Sequence, residues 1–234
     1  NSIVLPSLLH RYAEYKILLT NLQQTYSDIF SVNEHCLDTS QAKIQKDLYD
    51  AGKATNKYST QIFGTSYEPF PNAYKPGGTM IGTTGHISGR IEDRGMDNKG
   101  RWTWVQLTGK KGKKVLAISA YRVSQSSSCA AGYSTAYMQQ YRAFVKENVH
   151  NPKPKHICLL DLASFIQDWK NANEIGSVIL MMDANGDNSE EQFRQFLRDT
   201  ALHDVVAHLA PELKGQSTYV NGNKRLDYIL VSDE

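Results

Sequence analysis

The feature of this sequence that most constrains its fold is an apolar run that ends in a carboxylate. Residues 176–183 read Gly-Ser-Val-Ile-Leu-Met-Met-Asp, with five consecutive apolar residues before the final Asp183. A run this short, bounded by turn-prone and polar residues, is typical of a β-strand that is buried on both faces. Such a strand needs further layers on both sides, which favours a layered α/β architecture with Asp183 emerging at an edge of the core.

The rest of the chain contains patterns that would supply those layers. Apolar residues spaced by four and three predict a helix over residues 8–26, and further helices are predicted around Ile44, around Tyr141 and up to Trp169. The β-prone segments are residues 28–34, 80–87, 102–107 and 115–121. No stretch of the sequence resembles a linker, so we predict one α/β domain over residues 1–234.

Several local signals predict where individual elements begin and end. Gly52 is a plausible end for the helix around Ile44. Ser189 and Gln192 match a capping box that would begin a helix carrying Phe193. The Asn221-Gly222 pair predicts a hairpin over residues 219–231.

Composition excludes several classes of protein. The 234 residues include 26 Lys and Arg against 24 Asp and Glu, and 40% are hydrophobic, which argues against a disordered chain. No apolar run approaches the roughly 18 residues that a membrane span needs, so we predict no membrane partner. Three widely spaced cysteines, Cys36, Cys129 and Cys158, form neither a disulfide framework nor a metal-binding spacing, which favours a reducing, intracellular compartment.

Three carboxylates follow or interrupt apolar strand-like runs, namely Glu34, Asp183 and Asp227. Asn185 lies two residues after Asp183 and would share its face if the strand persisted. An unpaired charge inside an apolar strand is costly, so Asp227 needs a partner. A calcium-binding loop starting at Asp183 is disfavoured, because Asn188 stands where such a loop needs Gly and Arg194 where it needs Glu.

Six short motifs occur in a fixed order along the chain. They are residues 28–34 (Asp-Ile-Phe-Ser-Val-Asn-Glu), 77–78 (Gly-Gly), 100–102 (Gly-Arg-Trp), 118–121 (Ile-Ser-Ala-Tyr), 182–185 (Met-Asp-Ala-Asn) and 225–230 (Arg-Leu-Asp-Tyr-Ile-Leu). Together they resemble the motifs of the endonuclease/exonuclease/phosphatase family, also called the DNase I-like family. The resemblance implies a four-layer α/β sandwich of two mixed β-sheets flanked by helices. Residues 120–123 and 135–140 are most similar to the endonuclease domains of non-LTR retrotransposons.

The resemblance also implies a role for each candidate site residue. Glu34 would bind a divalent metal, Mg²⁺ or alternatively Mn²⁺, which is consistent with the preference of hard cations for carboxylate oxygen. Asp183 would orient or deprotonate the attacking water, while Asn185 and Tyr121 would contact the phosphate. Asp227 would orient a histidine.

Two family features have no counterpart in this sequence. The family begins with a strand that carries an asparagine near the metal, and it ends with a strand that carries Ser-Asp-His. Here Ser232 and Asp233 are followed by Glu234, and they lie too close to Asp227 to match that final strand. We therefore expect the chain to be truncated at both ends, without its first and final strands, and to be inactive on its own.

The distribution of charge suggests where nucleic acid would bind. Residues 99–114 contain six basic and no acidic residues, with Trp102 and Trp104 among them. A turn bearing Lys110, Lys111, Lys113 and Lys114 would suit contacts to phosphates, and the tryptophans would suit stacking on bases. A solvated turn at a sheet edge remains an equally good interpretation. Arg122, next to Tyr121, is a further candidate for binding a backbone phosphate.

The family resemblance, supported by the distribution of charge, therefore implies a magnesium-dependent endonuclease that nicks DNA. As part of a retroelement, it would be fused to a reverse transcriptase and would act in the nucleus. Two alternatives stay open, because a fold does not fix a substrate. The first is a phosphatase or RNA exonuclease, and the second is a nucleic-acid-binding module without catalysis.

Overall fold

The computed structural model describes residues 8–24, 27–55, 59–69, 74–124, 135–173, 176–213, 216–218 and 223–233. The α-helices in this part of the chain are α1 (Leu8–Gln24), α2 (Ala42–Thr55), α3 (Gly85–Ser88), α4 (Ala136–Lys146), α5 (Pro154–Ala172), α6 (Glu191–Thr200) and α7 (Val205–Leu209). The strands are β1 (Ile29–Asn33), β2 (Thr60–Gly64), β3 (Thr79–Thr83), β4 (Ile91–Met96), β5 (Trp102–Thr108), β6 (Lys114–Tyr121), β7 (Gly176–Asp183), β8 (Leu202–Asp204) and β9 (Asp227–Ser232). No helix within these ranges is long and apolar enough to cross a membrane.

The described strands form two sheets. The first sheet has the order β1-β3-β2 and is antiparallel throughout. The second has the order β4-β5-β6-β7-β9-β8 and is mixed, because β6 and β7 run parallel while their other neighbours are antiparallel. The expectation of two mixed sheets is therefore met only by the second sheet in the described part of the chain.

Three hydrophobic clusters show that the sheets and helices stack in four layers. Tyr15 and Leu48, from α1 and α2, pack on the outer side of the first sheet with Phe30. Ile81 of the first sheet packs against Ala117 of the second. Leu162, Ile166 and Phe193, from α5 and α6, cover the far side of the second sheet against Leu116, Leu180 and Leu230. The predicted α/β sandwich is thus confirmed.

The strand predicted over residues 176–183 is β7, in the interior of the second sheet. Val178, Leu180 and Met182 are buried, whereas Ile179 and Met181 on the other face are only half-buried. The first sheet has three described strands and the second has six, so part of the inner face of the second sheet is left open. Ile229 of β9 is 46% exposed as a result.

Some predicted boundaries differ from the structure. Helix α2 continues past Gly52 to Thr55, so this glycine does not end the helix, and the side-chain amide of Gln61 lies against it. The predicted capping box is absent, because Glu190 is the N-cap of α6 and Ser189 instead donates to Asp187. The β-prone segment 80–87 divides into β3 and the short helix α3. The Asn221-Gly222 turn lies outside the described residues, as does Cys129.

Candidate functional site

Three candidate residues lie in one row across the second sheet. In the parallel pairing of β6 and β7, Tyr121 is opposite Asp183. In the antiparallel pairing of β7 and β9, Asp183 is opposite Asp227. Residues opposite one another on neighbouring strands are about 5 Å apart and share a face of the sheet. The second sheet therefore places one hydroxyl and two carboxyl groups together at the ends of β6 and β7.

Glu34 reaches this row from the first sheet. Strand β1 ends at Asn33, and Glu34 follows in the left-handed conformation with φ 54°. Its N–H donates to Gly78 O at 2.9 Å, and the N–H of Cys36 donates to Gly77 O at 2.9 Å. The hydroxyl of Tyr121 donates a hydrogen bond to Oε1 of Glu34. This contact brings the predicted metal ligand and the predicted phosphate contact together.

Gly77 and Gly78, the two glycines of the Gly-Gly motif, allow the segment at Glu34 to pack closely against them. Both have positive φ, 87° for Gly77 and 88° for Gly78, which residues with a Cβ rarely adopt. A Cβ on Gly78 would also lie 2.4 Å from the ring of His35. That ring is fixed by two contacts, since Nδ1 accepts from Leu37 N at 3.1 Å and Nε2 is 3.0 Å from Gly64 O. His35 thus holds the loop after Glu34 in place.

Burial perturbs the acid-base behaviour of the row. Asp183 is 8% exposed, and its pKa is raised from 3.8 to about 7, mainly because burial disfavours the charged form. The negative charges of Asp227 and Glu34 raise this pKa further, whereas the N–H of Asn185, 3.0 Å from Oδ1, lowers it. Burial and the nearby Glu34 carboxylate also raise the pKa of Tyr121. At neutral pH, Tyr121 is therefore a donor, and Asp183 is poised to accept or release a proton.

Asn33 is a site residue that the sequence analysis did not identify. In the amide orientation that allows both hydrogen bonds, its side-chain nitrogen donates to Ala120 O at 3.2 Å and its oxygen accepts from Asp183 N at 3.2 Å. Asn33 therefore links the end of β1 to the ends of β6 and β7. A polar residue directly before Glu34 at a predicted strand end was the only signal in the sequence.

Asn185 lies beside Asp183 in a strained turn. Its φ is 42°, in the left-handed region, and its Nδ2 donates to Arg122 O at 2.8 Å. An amide nitrogen carries two hydrogens, so one remains for a ligand. The strand ends at Asp183, so it is this turn, and not a shared strand face, that keeps Asn185 beside Asp183.

The structure places Arg122 differently from the sequence prediction. Its side chain is 2% exposed, with Nε donating to Lys155 O at 2.9 Å and Nη1 lying 3.0 Å from Glu190. Nη1 also donates to Ala184 O at 3.3 Å. This guanidinium is already engaged by the protein, so it holds the loop after Asp183 in place instead of facing a phosphate.

The basic turn is far from the row of site residues. Lys114 begins β6 and Tyr121 ends it, so the turn that carries Lys110, Lys111, Lys113 and Lys114 is about 23 Å away, at roughly 3.3 Å per residue. Lys114 is paired with Glu92 of β4, which lies beyond β5 in the same sheet. Trp102 is buried and Trp104 is partly buried, and both pack against Phe165 of α5 with ring centroids 6.0 and 5.7 Å apart, so these rings contribute to the packing of α5 on the second sheet.

Asp227 borders a cavity of about 480 Å³ where the first sheet does not cover the second. The cavity is also lined by Ser31 and Asn33 from β1, Thr218 before β9, and the apolar Met181 and Ile229. No histidine is among the described residues that line it. His203 lies elsewhere, on the surface 3.0 Å from Asp233. The imidazole that Asp227 is predicted to orient is therefore not supplied by the described part of the chain.

The donors at the site fit a hard divalent cation. The described residues contain no cluster of three or more His, Cys, Asp and Glu that could hold a metal. Magnesium, however, typically binds through one or two carboxylates while keeping several waters and a substrate oxygen. Glu34 is half-buried at the edge of the site, and its charge acts on Asp183 across the sheets. One carboxylate with a second one close by is the donor set that such an ion requires.

Solved structures with the same architecture share little sequence with this chain. An endonuclease/exonuclease/phosphatase family protein from Bacteroides thetaiotaomicron has a TM-score of 0.53 and 15% identity, covering 94% of this chain and 75% of that one. A mannosyl-6-phosphatase from the same organism has a TM-score of 0.56 and 14% identity, covering 95% and 78%. A beta toxin from Staphylococcus aureus with bound magnesium ions has a TM-score of 0.55 and 16% identity, covering 95% and 77%.

These likenesses show that the chain has the endonuclease/exonuclease/phosphatase, or DNase I-like, fold. No protein-family model matches the sequence, and no curated protein matches it.

Proposed function

We propose that this chain hydrolyses phosphoesters with a divalent metal, Mg²⁺ or alternatively Mn²⁺, and that its substrate is DNA. The observation that carries the proposal is the convergence of Glu34, Tyr121 and Asp183 from two sheets at one edge of the sandwich. A carboxylate, a protonated phenol and an acid with a pKa of about 7 form a set suited to phosphoester hydrolysis. The beta toxin of the same fold, which contains magnesium, supports the choice of ion.

In this mechanism each residue has a defined task. Glu34 holds the metal, which when bound stabilises negative charge on the phosphate and on the leaving oxygen. Asp183 accepts a proton from the attacking water, and its raised pKa suits that role near neutral pH. Asn185, with its remaining N–H, and Tyr121, with its hydroxyl, donate to phosphate oxygens. Asp227 borders the cavity beside Asp183, where it would orient an imidazole supplied from outside the described residues.

The finer assignment is a nicking endonuclease of a retroelement. It rests on the resemblance of residues 120–123 and 135–140 to retrotransposon endonucleases. Residues 136–140 lie at the start of α4, which is capped by the Thr135 hydroxyl accepting from Met138 N at 3.2 Å. On this proposal the domain is fused to a reverse transcriptase and acts in the nucleus, which the neighbouring coding sequence and the location of the tagged full-length product would test.

The central experiment measures relaxation of supercoiled plasmid in Mg²⁺ and in chelator. The reactions are run with and without added imidazole, because the described residues place no imidazole beside Asp227. Glu34→Gln should abolish nicking and weaken Mg²⁺ binding measured by calorimetry, whereas Glu212→Gln, at an exposed position, should change neither. Metal-independent nicking, or full nicking by Glu34→Gln, would remove the proposal.

A phosphatase is the second candidate, because the mannosyl-6-phosphatase has the same fold. Release of phosphate from a sugar phosphate, with no nicking of plasmid, would favour it. Binding of DNA with neither reaction would instead identify a nucleic-acid-binding module without catalysis.

A further inference from the structure

The hydroxyl of Tyr121 has a single hydrogen, and the structure shows where it goes. That hydrogen is donated to Oε1 of Glu34, from the opposite sheet. A phenol offers one O–H donor and no second one. Tyr121 therefore cannot donate to a phosphate oxygen while it donates to Glu34.

The ring of Tyr121 is fixed, so a change of partner involves the hydroxyl hydrogen alone. The side chain is buried and packs with Val123, Ala136 and Tyr137. On another side, the position of a Cβ on Gly77 would be 3.8 Å from its Cε1. With the ring held in this way, rotation about the bond between ring and oxygen redirects the donor and leaves the packing unchanged.

We propose that Tyr121 couples the two binding events of the site by exchanging its hydrogen-bond acceptor. Without a cation, Tyr121 stabilises the Glu34 carboxylate. When a cation occupies that carboxylate, Tyr121 releases it and donates to a phosphate oxygen of the substrate. Tyr121 is thus both a phosphate contact and a positioning residue for Glu34, and the metal and the phosphodiester bind with positive cooperativity.

This inference rests on the proposed function, and it predicts the size of the coupling between Mg²⁺ binding and ligand binding. A hydrogen bond to a charged group is individually strong, so its transfer should be visible in binding constants. We expect saturating Mg²⁺ to tighten the binding of a phosphodiester ligand by a factor within the usual range for coupled sites, about 5- to 150-fold. By linkage, the ligand should tighten Mg²⁺ binding by the same factor.

The test uses the full 234-residue chain and a phosphorothioate DNA oligonucleotide that resists cleavage. Its dissociation constant is measured with and without Mg²⁺ at constant ionic strength. In Tyr121→Phe, Mg²⁺ should bind as tightly as in the wild type or more tightly, because the competing donor is gone, whereas the coupling to the oligonucleotide should be lost. The matched control is Tyr137→Phe, which removes a neighbouring hydroxyl and should keep the coupling.

A second measurement follows the Tyr121 hydroxyl directly and needs no oligonucleotide. Exchange of the acceptor should produce an ultraviolet difference spectrum in the tyrosine band on addition of Mg²⁺, and this signal should be missing in Tyr121→Phe and in Glu34→Gln. If Mg²⁺ binds through Glu34 but the coupling is equal in the wild type and Tyr121→Phe, this inference is wrong and the proposed function stands. If Glu34→Gln binds Mg²⁺ as well as the wild type does, both are wrong.

Discussion

The raised pKa of Asp183 predicts an unusual dependence of stability on pH. The pKa is about 7 in the folded protein, against a reference value of 3.8 for an exposed aspartate. Between these values the folded state keeps a proton that the unfolded state has lost. The slope of unfolding free energy against pH follows the protons bound by the unfolded state minus those bound by the folded state, which is negative here. The contribution of Asp183 is therefore fully present below about pH 4 and is lost as pH rises to about 7.

The size of the effect follows from the shift. Between pH 5 and pH 8.5 the contribution of Asp183 to the free energy of unfolding falls by the equivalent of about two pKa units. At 1.36 kcal/mol per unit, this loss is roughly 3 kcal/mol. Asp183→Asn, which cannot ionise, should lack this loss. Relative to the wild type, the variant should therefore gain roughly 3 kcal/mol of stability between these two pH values.

Urea unfolding of both proteins at pH 5 and pH 8.5 measures this double difference, in which the titration of other groups largely cancels. Asp168→Asn, exposed on α5, is the matched control and should follow the wild type. Saturating Mg²⁺ should reduce the effect, because a cation at Glu34 favours the ionised form of Asp183. Parallel pH profiles for the wild type and Asp183→Asn would refute the assignment of a buried, proton-holding Asp183.

Three further predictions concern the surroundings of the site. Added imidazole should raise turnover in a saturable manner by occupying the cavity beside Asp227, and Asp227→Ala should abolish the gain; equal stimulation in both proteins would exclude this role. Arg122→Lys keeps the charge but loses the contacts of the guanidinium to Lys155, Ala184 and Glu190. We therefore expect slower turnover and an unchanged salt dependence of DNA binding. A flatter salt dependence would instead indicate that Arg122 contacts a phosphate. Replacing the four lysines of the basic turn should flatten the salt dependence by up to about 0.9 per lost contact for long DNA. For oligonucleotides shorter than about seven nucleotides, which cannot span the 23 Å or so to Tyr121, it should have no effect.

The sequence predicts well those parts of the fold that depend on short-range patterns. The apolar run that forms β7, the strand ending at Tyr121 and the stripes of the long helices are each visible in a few neighbouring residues. The positions of Glu34 and Asp183 at strand ends follow from the same patterns, because a carboxylate after an apolar strand lies at the edge of the core. Asp227 differs, since the sequence places it inside an apolar strand, whereas in the structure it is the first residue of β9.

The predictions that differ from the structure depend on contacts between distant segments. From the sequence, Arg122 is a candidate phosphate contact. In the fold, Lys155 of α5 and Glu190 at the start of α6 lie against its guanidinium. Gly52 has the composition signal of a helix end, whereas α2 runs on to Thr55 with the Gln61 side chain of β2 beside the glycine. The contribution of Asn33 depends on bringing two sheets together, and no local pattern encodes that distance.

The site is assembled across the seam between two sheets, with Glu34 on one side and Tyr121 and Asp183 on the other. Among the described residues, a small number of polar contacts besides the Tyr121–Glu34 hydrogen bond join the two sheets near the site. Asn33 bridges them, and the hydroxyls of Ser31 and Ser119 lie 2.6 Å apart. A shift of about 1 Å in catalytic geometry can cost about a hundredfold in rate. We therefore expect heat or pressure that displaces one sheet relative to the other to abolish activity while both sheets are still folded, so that inactivation precedes unfolding.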